Sequence, residues 1–165
     1  MTKTFHAEDI KLFSELSLDT NPIHLDEAYA KTTRFGRPIA HGLLVASMFS
    51  GLLGTKYGPE SLRKRLAQPL LTTCPRLRRT LRARVPGQGA VYVSQTLQFT
   101  APTFVGDTIT ARVEVTKTDP ARRLVTLATT CRKADGTVVI RGEAVALMAR
   151  PPKAPADGGR NAAST

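Results

Sequence analysis

Between Ile39 and Gly54 the chain carries an apolar run: Ile39, Ala40, Leu43, Leu44, Val45, Ala46, Met48, Phe49, Leu52 and Leu53, broken by His41, Ser47 and Ser50. It is shorter than the ~20 residues that cross a bilayer. As a helix it would be about 24 Å long. Its apolar residues cover nearly the whole circumference instead of one stripe, which demands protein on every side. The rest of the chain must supply that enclosure. With 165 residues, 41% of them hydrophobic, it is one domain's worth of material. There is no Trp, and three Tyr and six Phe leave the core mainly aliphatic.

The enclosing material is legible further on. Residues 91–99 (VYVSQTLQF), 108–116 (TITARVEVT), 123–131 (RLVTLATTC) and 137–148 (TVVIRGEAVALM) alternate or run apolar in the manner of strands. Turn residues separate them: Gly106-Asp107, Asp119-Pro120 and Asp135-Gly136. No helical pattern intervenes, which predicts an antiparallel, meander-like sheet. Thr2–Phe5 reads as the end of a further strand. Ala7–Leu16 reads as a short helix, with Ile10, Phe13 and Leu16 on one side and Glu8 and Asp9 early. An antiparallel sheet and one enclosed helix fit together when the sheet curls around the helix. The predicted fold is therefore α+β, a single hot-dog fold over residues 1–148. A two-layer domain with the helix on one face is the alternative.

The net charge of +11 suggests nucleic acid at first sight, but it is local. Residues 61–89 hold eight Arg and Lys and no acid; without them 16 basic groups face 13 acidic ones. That segment has no aromatic residue for base stacking. Residues 60–86 read as a basic surface insertion, and residues 149–165, rich in Pro, Gly and Ala, as a disordered tail. Two Cys, Cys74 and Cys131, exclude a disulfide scaffold and a four-thiolate metal site. Three His leave little for a His-based metal site. The first 13 residues lack the apolar segment of a signal peptide. The expectation is a cytoplasmic protein with no metal, no membrane partner and no nucleic-acid partner.

One stretch concentrates chemistry: LSLDTNPIHLDEAYA, residues 16–30. Pro22 stands between Asp19 and His24 and pushes Asn21 out of helical geometry. A turn there can aim a carboxylate and an imidazole at one water. One group would remove its proton while a proton is delivered to a neighbouring carbon. The same residues also make a good turn and helix start with Asp19 as a cap. Pro38-Ile39-Ala40-His41-Gly42 opens the apolar helix. Gly42 has no side chain to bar a ligand from its N–H, and the helix dipole is positive there. That suits a carbonyl oxygen gaining negative charge, although Gly42 could equally serve close packing.

Asp19-Thr20-Asn21-Pro22-Ile23-His24 with Ala30 resembles the hydratase-2 motif of MaoC-type (R)-specific enoyl-CoA hydratases. Residues 32–55, 91–115 and 141–148 resemble the same family in the same order. The resemblance implies a hot-dog homodimer that reversibly hydrates trans-2-enoyl thioesters of coenzyme A or an acyl-carrier protein to (R)-3-hydroxyacyl thioesters. It implies that Asp19 and His24 hold the catalytic water and that Gly42 N–H bonds the thioester oxygen. It also places Ser50 near the pair, with Asn21 buttressing the turn and His41 supporting the site. No cofactor is implied, because the thioester already acidifies the α-carbon. The residues do not assign the base. The preferred arrangement has Asp19 take the water's proton, with His24 orienting the water and relaying a proton. Two departures stand out: Leu18 where the family usually has Gly, and the long basic segment between Gly54 and Gly89. A catalytically silent hot-dog protein that binds acyl thioesters or a partner is the competing reading.

Overall fold

The computed structural model describes residues 1–56 and 89–148; the expectations placed on residues 60–86 and 149–165 lie outside them. Strand β1 (Thr2–Thr4) leads into helix α1 (Ala7–Ser17). The N-terminus of α1 is tied by Asp9, whose Oδ2 accepts from His6 N–H at 2.9 Å while Oδ1 accepts from Lys3 Nζ at 2.8 Å. Those bonds hold the Asp9 carboxyl below the usual carboxylate range, the His6 backbone donor most of all. Two single helical turns follow, α2 (Pro22–Leu25) and α3 (Glu27–Lys31). Helix α4 (Gly42–Gly51) continues as a π-helical turn, Leu52–Lys56. Strands β2 (Val91–Phe99), β3 (Thr108–Asp119), β4 (Leu124–Lys133) and β5 (Val138–Leu147) complete the domain.

The strands form one antiparallel sheet in the order β1-β3-β4-β5-β2. The consecutive strands β3, β4 and β5 make the expected meander. β2 departs from it: this strand pairs with β5 at the far edge and not with its chain neighbour β3. The chain from β2 to β3 therefore crosses the start of α4. Ala40 N–H donates to Thr103 O at 2.7 Å, and Ile39 bridges Phe104. Backbone bonds across the fold also explain why α4 begins at Gly42, three residues into the apolar run: Ala40 N–H goes to the crossing loop, while Ile39 N–H donates to Ile23 O and Ile39 O accepts from the His24 ring.

The core lies between α4 and the curled sheet. Val45, Ala46, Met48, Phe49 and Leu52 pack with Phe5, Ile10, Ile109, Ala111, Cys131, Val139 and Ile140. Leu53 joins a second cluster with Val125, Leu127, Ala144 and Ala146. Burial alternates along β4, as a strand with one face on a core requires. The sequence predicted an α4 enclosed on all sides, and the single chain encloses it incompletely. Leu43 is 61% exposed, and Ser47 and Ser50 share that open stripe. Burial pushes the Cys131 thiol up to about 12, so it acts as a small core hydrophobe.

Edge strand β2 is held close by a missing side chain. A Cβ on Gly142 of β5 would run into the carbonyl of Thr96. Because that obstacle is backbone, the strand itself must move. Gly142→Ala is expected to cost about 1–3 kcal/mol. Thermal unfolding should show it as a midpoint lowered by roughly 2–4 °C per kcal/mol. An unchanged midpoint would remove this account of the edge.

Candidate active site

The turn after α1 sets Asp19. Leu18 ends the helix at φ 61° and ψ 16°, the left-handed region that favours glycine, with its side chain 84% exposed. That geometry gives a physical reason for glycine at this point of the motif, and a side chain there costs about 1–2 kcal/mol. Asn21 N–H donates to Asp19 Oδ1 at 3.3 Å, and Asn21 Oδ1 accepts from Ile23 N–H at 3.2 Å. Asn21 itself is non-helical at ψ 124°. Pro22, with φ pre-set and no N–H to satisfy, starts α2. His24 thus sits on a helical turn, not in an irregular loop, and the helix cap is Asn21, not Asp19.

The backbone fixes the His24 ring. Its Nδ1 lies 2.7 Å from Ile39 O. A carbonyl only accepts, so Nδ1 carries the proton and the neutral ring presents a bare Nε2. That Nε2 stands 3.9 Å from Asp19 Oδ2. The separation is too long for a direct hydrogen bond and short enough for one water to bond both atoms. Asp19 is half exposed, whereas the His24 side chain is 11% exposed.

His41 closes the group from beneath. It is 3% exposed, and its ring stacks on His24 with centroids 3.7 Å apart. Burial, opposed in part by the bond to Asp19 O, holds its pKa below the ordinary histidine value. Asp19, His24 and His41 each offer one ligand atom within 4.8 Å of the others, a compact enough set for a metal ion. Binding one would take His41 Nε2 away from Asp19 O, which it contacts at 3.1 Å.

His24 and Gly42 line a cavity of about 370 Å³, together with Arg34, Leu43, Phe99 and Ile140 among others. Asp19 is not among the lining residues and meets the cavity through His24. Gly42 is the first residue of α4, so its N–H has no acceptor within the helix. The Phe99 ring lies where a Cβ would stand, 2.6 Å away at its nearest atom. The structure thus brings Asp19, His24, His41 and Gly42 to one place. Ser50 lies on the exposed stripe of α4, outside the residues that line the cavity. Sequence reasoning did not single out Arg34, Phe99 or Ser14, whose Oγ donates to Asp19 O at 2.7 Å. A Ser inside an amphipathic helix and a Phe ending a strand carry no signal of such roles.

Known proteins resemble this chain in sequence and in fold. Residues 1–69 match the family model described as MaoC like domain. The (R)-specific enoyl-CoA hydratase of Rhodospirillum rubrum is 43% identical over 148 residues, covering 90% of this chain and 83% of the relative. The 3-hydroxybutyryl-CoA dehydratase of Methylorubrum extorquens is 40% identical over 157 residues, covering 95% and 80%. The solved structure of the (R)-hydratase from A. caviae involved in PHA biosynthesis superposes with a TM-score of 0.68 at 39% identity, covering 90% of this chain and 92% of that one. This chain belongs to the MaoC-like family and has its hot-dog fold. By name, the first of these relatives is a hydratase of enoyl-CoA, the second a dehydratase of 3-hydroxybutyryl-CoA and the third an (R)-hydratase.

Proposed function

We propose that the protein is a hydro-lyase that reversibly hydrates trans-2-enoyl thioesters to (R)-3-hydroxyacyl thioesters. The observation that carries the reading is the 3.9 Å gap between Asp19 Oδ2 and His24 Nε2, beside a cavity that also holds Gly42. A water in that gap gives one hydrogen to each acceptor and turns a lone pair toward the substrate's β-carbon. As the C–O bond forms, one O–H bond breaks and the α-carbon gains a proton. The sequence favoured Asp19 as base. The bare Nε2 of His24 supports a different division. An imidazole is intrinsically a stronger base than a carboxylate. His24 takes the water's proton and returns it to the α-carbon. Asp19 holds the water and offsets the imidazolium charge. Gly42 N–H meets the thioester oxygen as enolate character develops. The chemistry asks for no metal or redox group.

The acyl carrier is coenzyme A or an acyl-carrier protein. Arg34 at the cavity supports an anionic carrier, since a guanidinium pairs well with phosphate. The reading is of a cytoplasmic enzyme; among the described residues no helix is long and apolar enough to cross a membrane. The direct test is hydration of crotonyl-CoA, followed as loss of enoyl-thioester absorbance. No absorbance loss with folded protein would defeat the reading.

A homodimer completes the proposal. Val91, Val93 and Phe99 of edge strand β2 are more than half exposed, as is Leu43 on α4. Among the described residues β2 ends the sheet, and an edge with apolar side chains invites pairing with a second copy. Light scattering at micromolar concentration should give about twice the 17.8 kDa chain mass. A mass of one chain would contradict the assembly.

A further inference from the structure

We infer that His41 is a positioning residue for the water-binding pair: it fixes the backbone of Asp19 and the ring plane of His24 together, and so sets the gap in which the water sits. The inference rests on the hydration reading above and specifies how that site is held.

His41 touches both partners. Its Nε2 is 3.1 Å from Asp19 O, and the Ser14 hydroxyl donates to the same oxygen at 2.7 Å. The carbonyl accepts both bonds, so His41 Nε2 carries the proton and Nδ1 is the bare nitrogen. The ring lies between Phe13, centroids 5.1 Å apart and tilted, and His24, centroids 3.7 Å apart and inclined by 29°. One ring therefore orients the imidazole through its face and anchors the carboxylate's residue through its edge. The same Nε2 is 3.9 Å from Asp19 Oδ2, so it approaches the carboxylate without a direct bond to it.

The unmet atom argues against a packing role alone. Nδ1 of His41 is buried with no hydrogen-bond partner among the described residues. Such an atom is costly to bury, and a Phe or Met could occupy the space without that cost. What those residues lack is the N–H that reaches Asp19 O. Burial, which lowers the His41 pKa, also suits the position, since a second cation there would compete with His24 for the Asp19 carboxylate.

The test is steady-state hydration of crotonyl-CoA by the full-length protein. His41→Phe keeps a stacking ring and removes the N–H donor. It is expected to lower kcat about 10- to 100-fold, the scale of a small misplacement at a reacting centre, with KM within about threefold. His41→Gln returns an N–H donor and should recover part of that loss. Ser14→Ala removes the other donor to Asp19 O and should lower kcat in the same sense. In an Asp19→Asn background, His41→Phe should add less than about threefold, because the group it positions has already lost its function. The inference is overturned by a His41→Phe enzyme with kcat within about threefold of the parent, even if its melting temperature falls. It is equally overturned by a loss that persists in full in the Asp19→Asn background. If His41→Phe does not fold, Ser14→Ala decides: an unchanged kcat there overturns the anchoring of Asp19. Failure of the unmodified protein to hydrate the substrate strikes the hydration reading itself, whatever the variants do.

Discussion

Asp19→Asn and His24→Gln should each lower hydration of crotonyl-CoA by about 10²- to 10⁴-fold, the usual contribution of a positioned acid or base. Both changes are close to isosteric, so the fold should survive. Asp19 is half exposed and its backbone carbonyl, which His41 and Ser14 contact, is untouched by the substitution. His24→Gln replaces a ring that bonds Ile39 O and stacks on His41, so it carries the larger structural risk. Circular dichroism beside the kinetics separates the two effects. If both variants keep activity within tenfold of the parent, the pair is not the centre of the reaction.

The second large effect concerns a backbone atom. Gly42→Pro removes the N–H that the mechanism gives to the thioester oxygen. The position tolerates proline unusually well: it is the first residue of α4, and His41 before it lies at φ −59° and ψ 131°, a conformation that precedes proline readily. The expected loss in kcat is about 10²- to 10³-fold, as for other lost oxyanion donors. Gly42→Ala is the control. It also places a Cβ against the Phe99 ring, 2.6 Å away, but keeps the N–H. That ring is the end of a side chain and can swing, so Ala should lose much less than Pro. Equal losses in the two variants would assign Gly42 to packing against Phe99 and not to catalysis.

What the sequence made legible was mostly local. Alternation and turn residues placed β2 through β5 within a few residues of their ends, since a strand's burial pattern is written in its own side chains. The place of β2 beside β5 was not legible, because pairing partners are chosen by the path of the chain over α4. The start of α4 was misjudged because Ile39 and Ala40 are apolar enough to be helical, yet their backbone groups bond across the fold, Ala40 N–H to Thr103 O and Ile39 N–H to Ile23 O. Asp19, His24 and Gly42 were readable because Pro22 and the glycine leave marks in sequence. The roles of Ser14, Phe99 and the ring of His41 were not, for each depends on a contact made across the fold.

The acceptor that sets the His24 tautomer is Ile39 O, an atom every residue possesses. Ile39 N–H also donates to Ile23 O at 3.3 Å, so the two segments are stitched backbone to backbone beside the imidazole. Drift at position 39 can change volume or hydrophobicity, yet it cannot delete the oxygen. A catalytic histidine that leans on a carboxylate can lose that partner to one mutation. Here the proton's address is inherited from the route of the main chain. Homologues could diverge widely around this histidine while keeping the same nitrogen bare, and covariation between side chains would give no trace of the bond that does it.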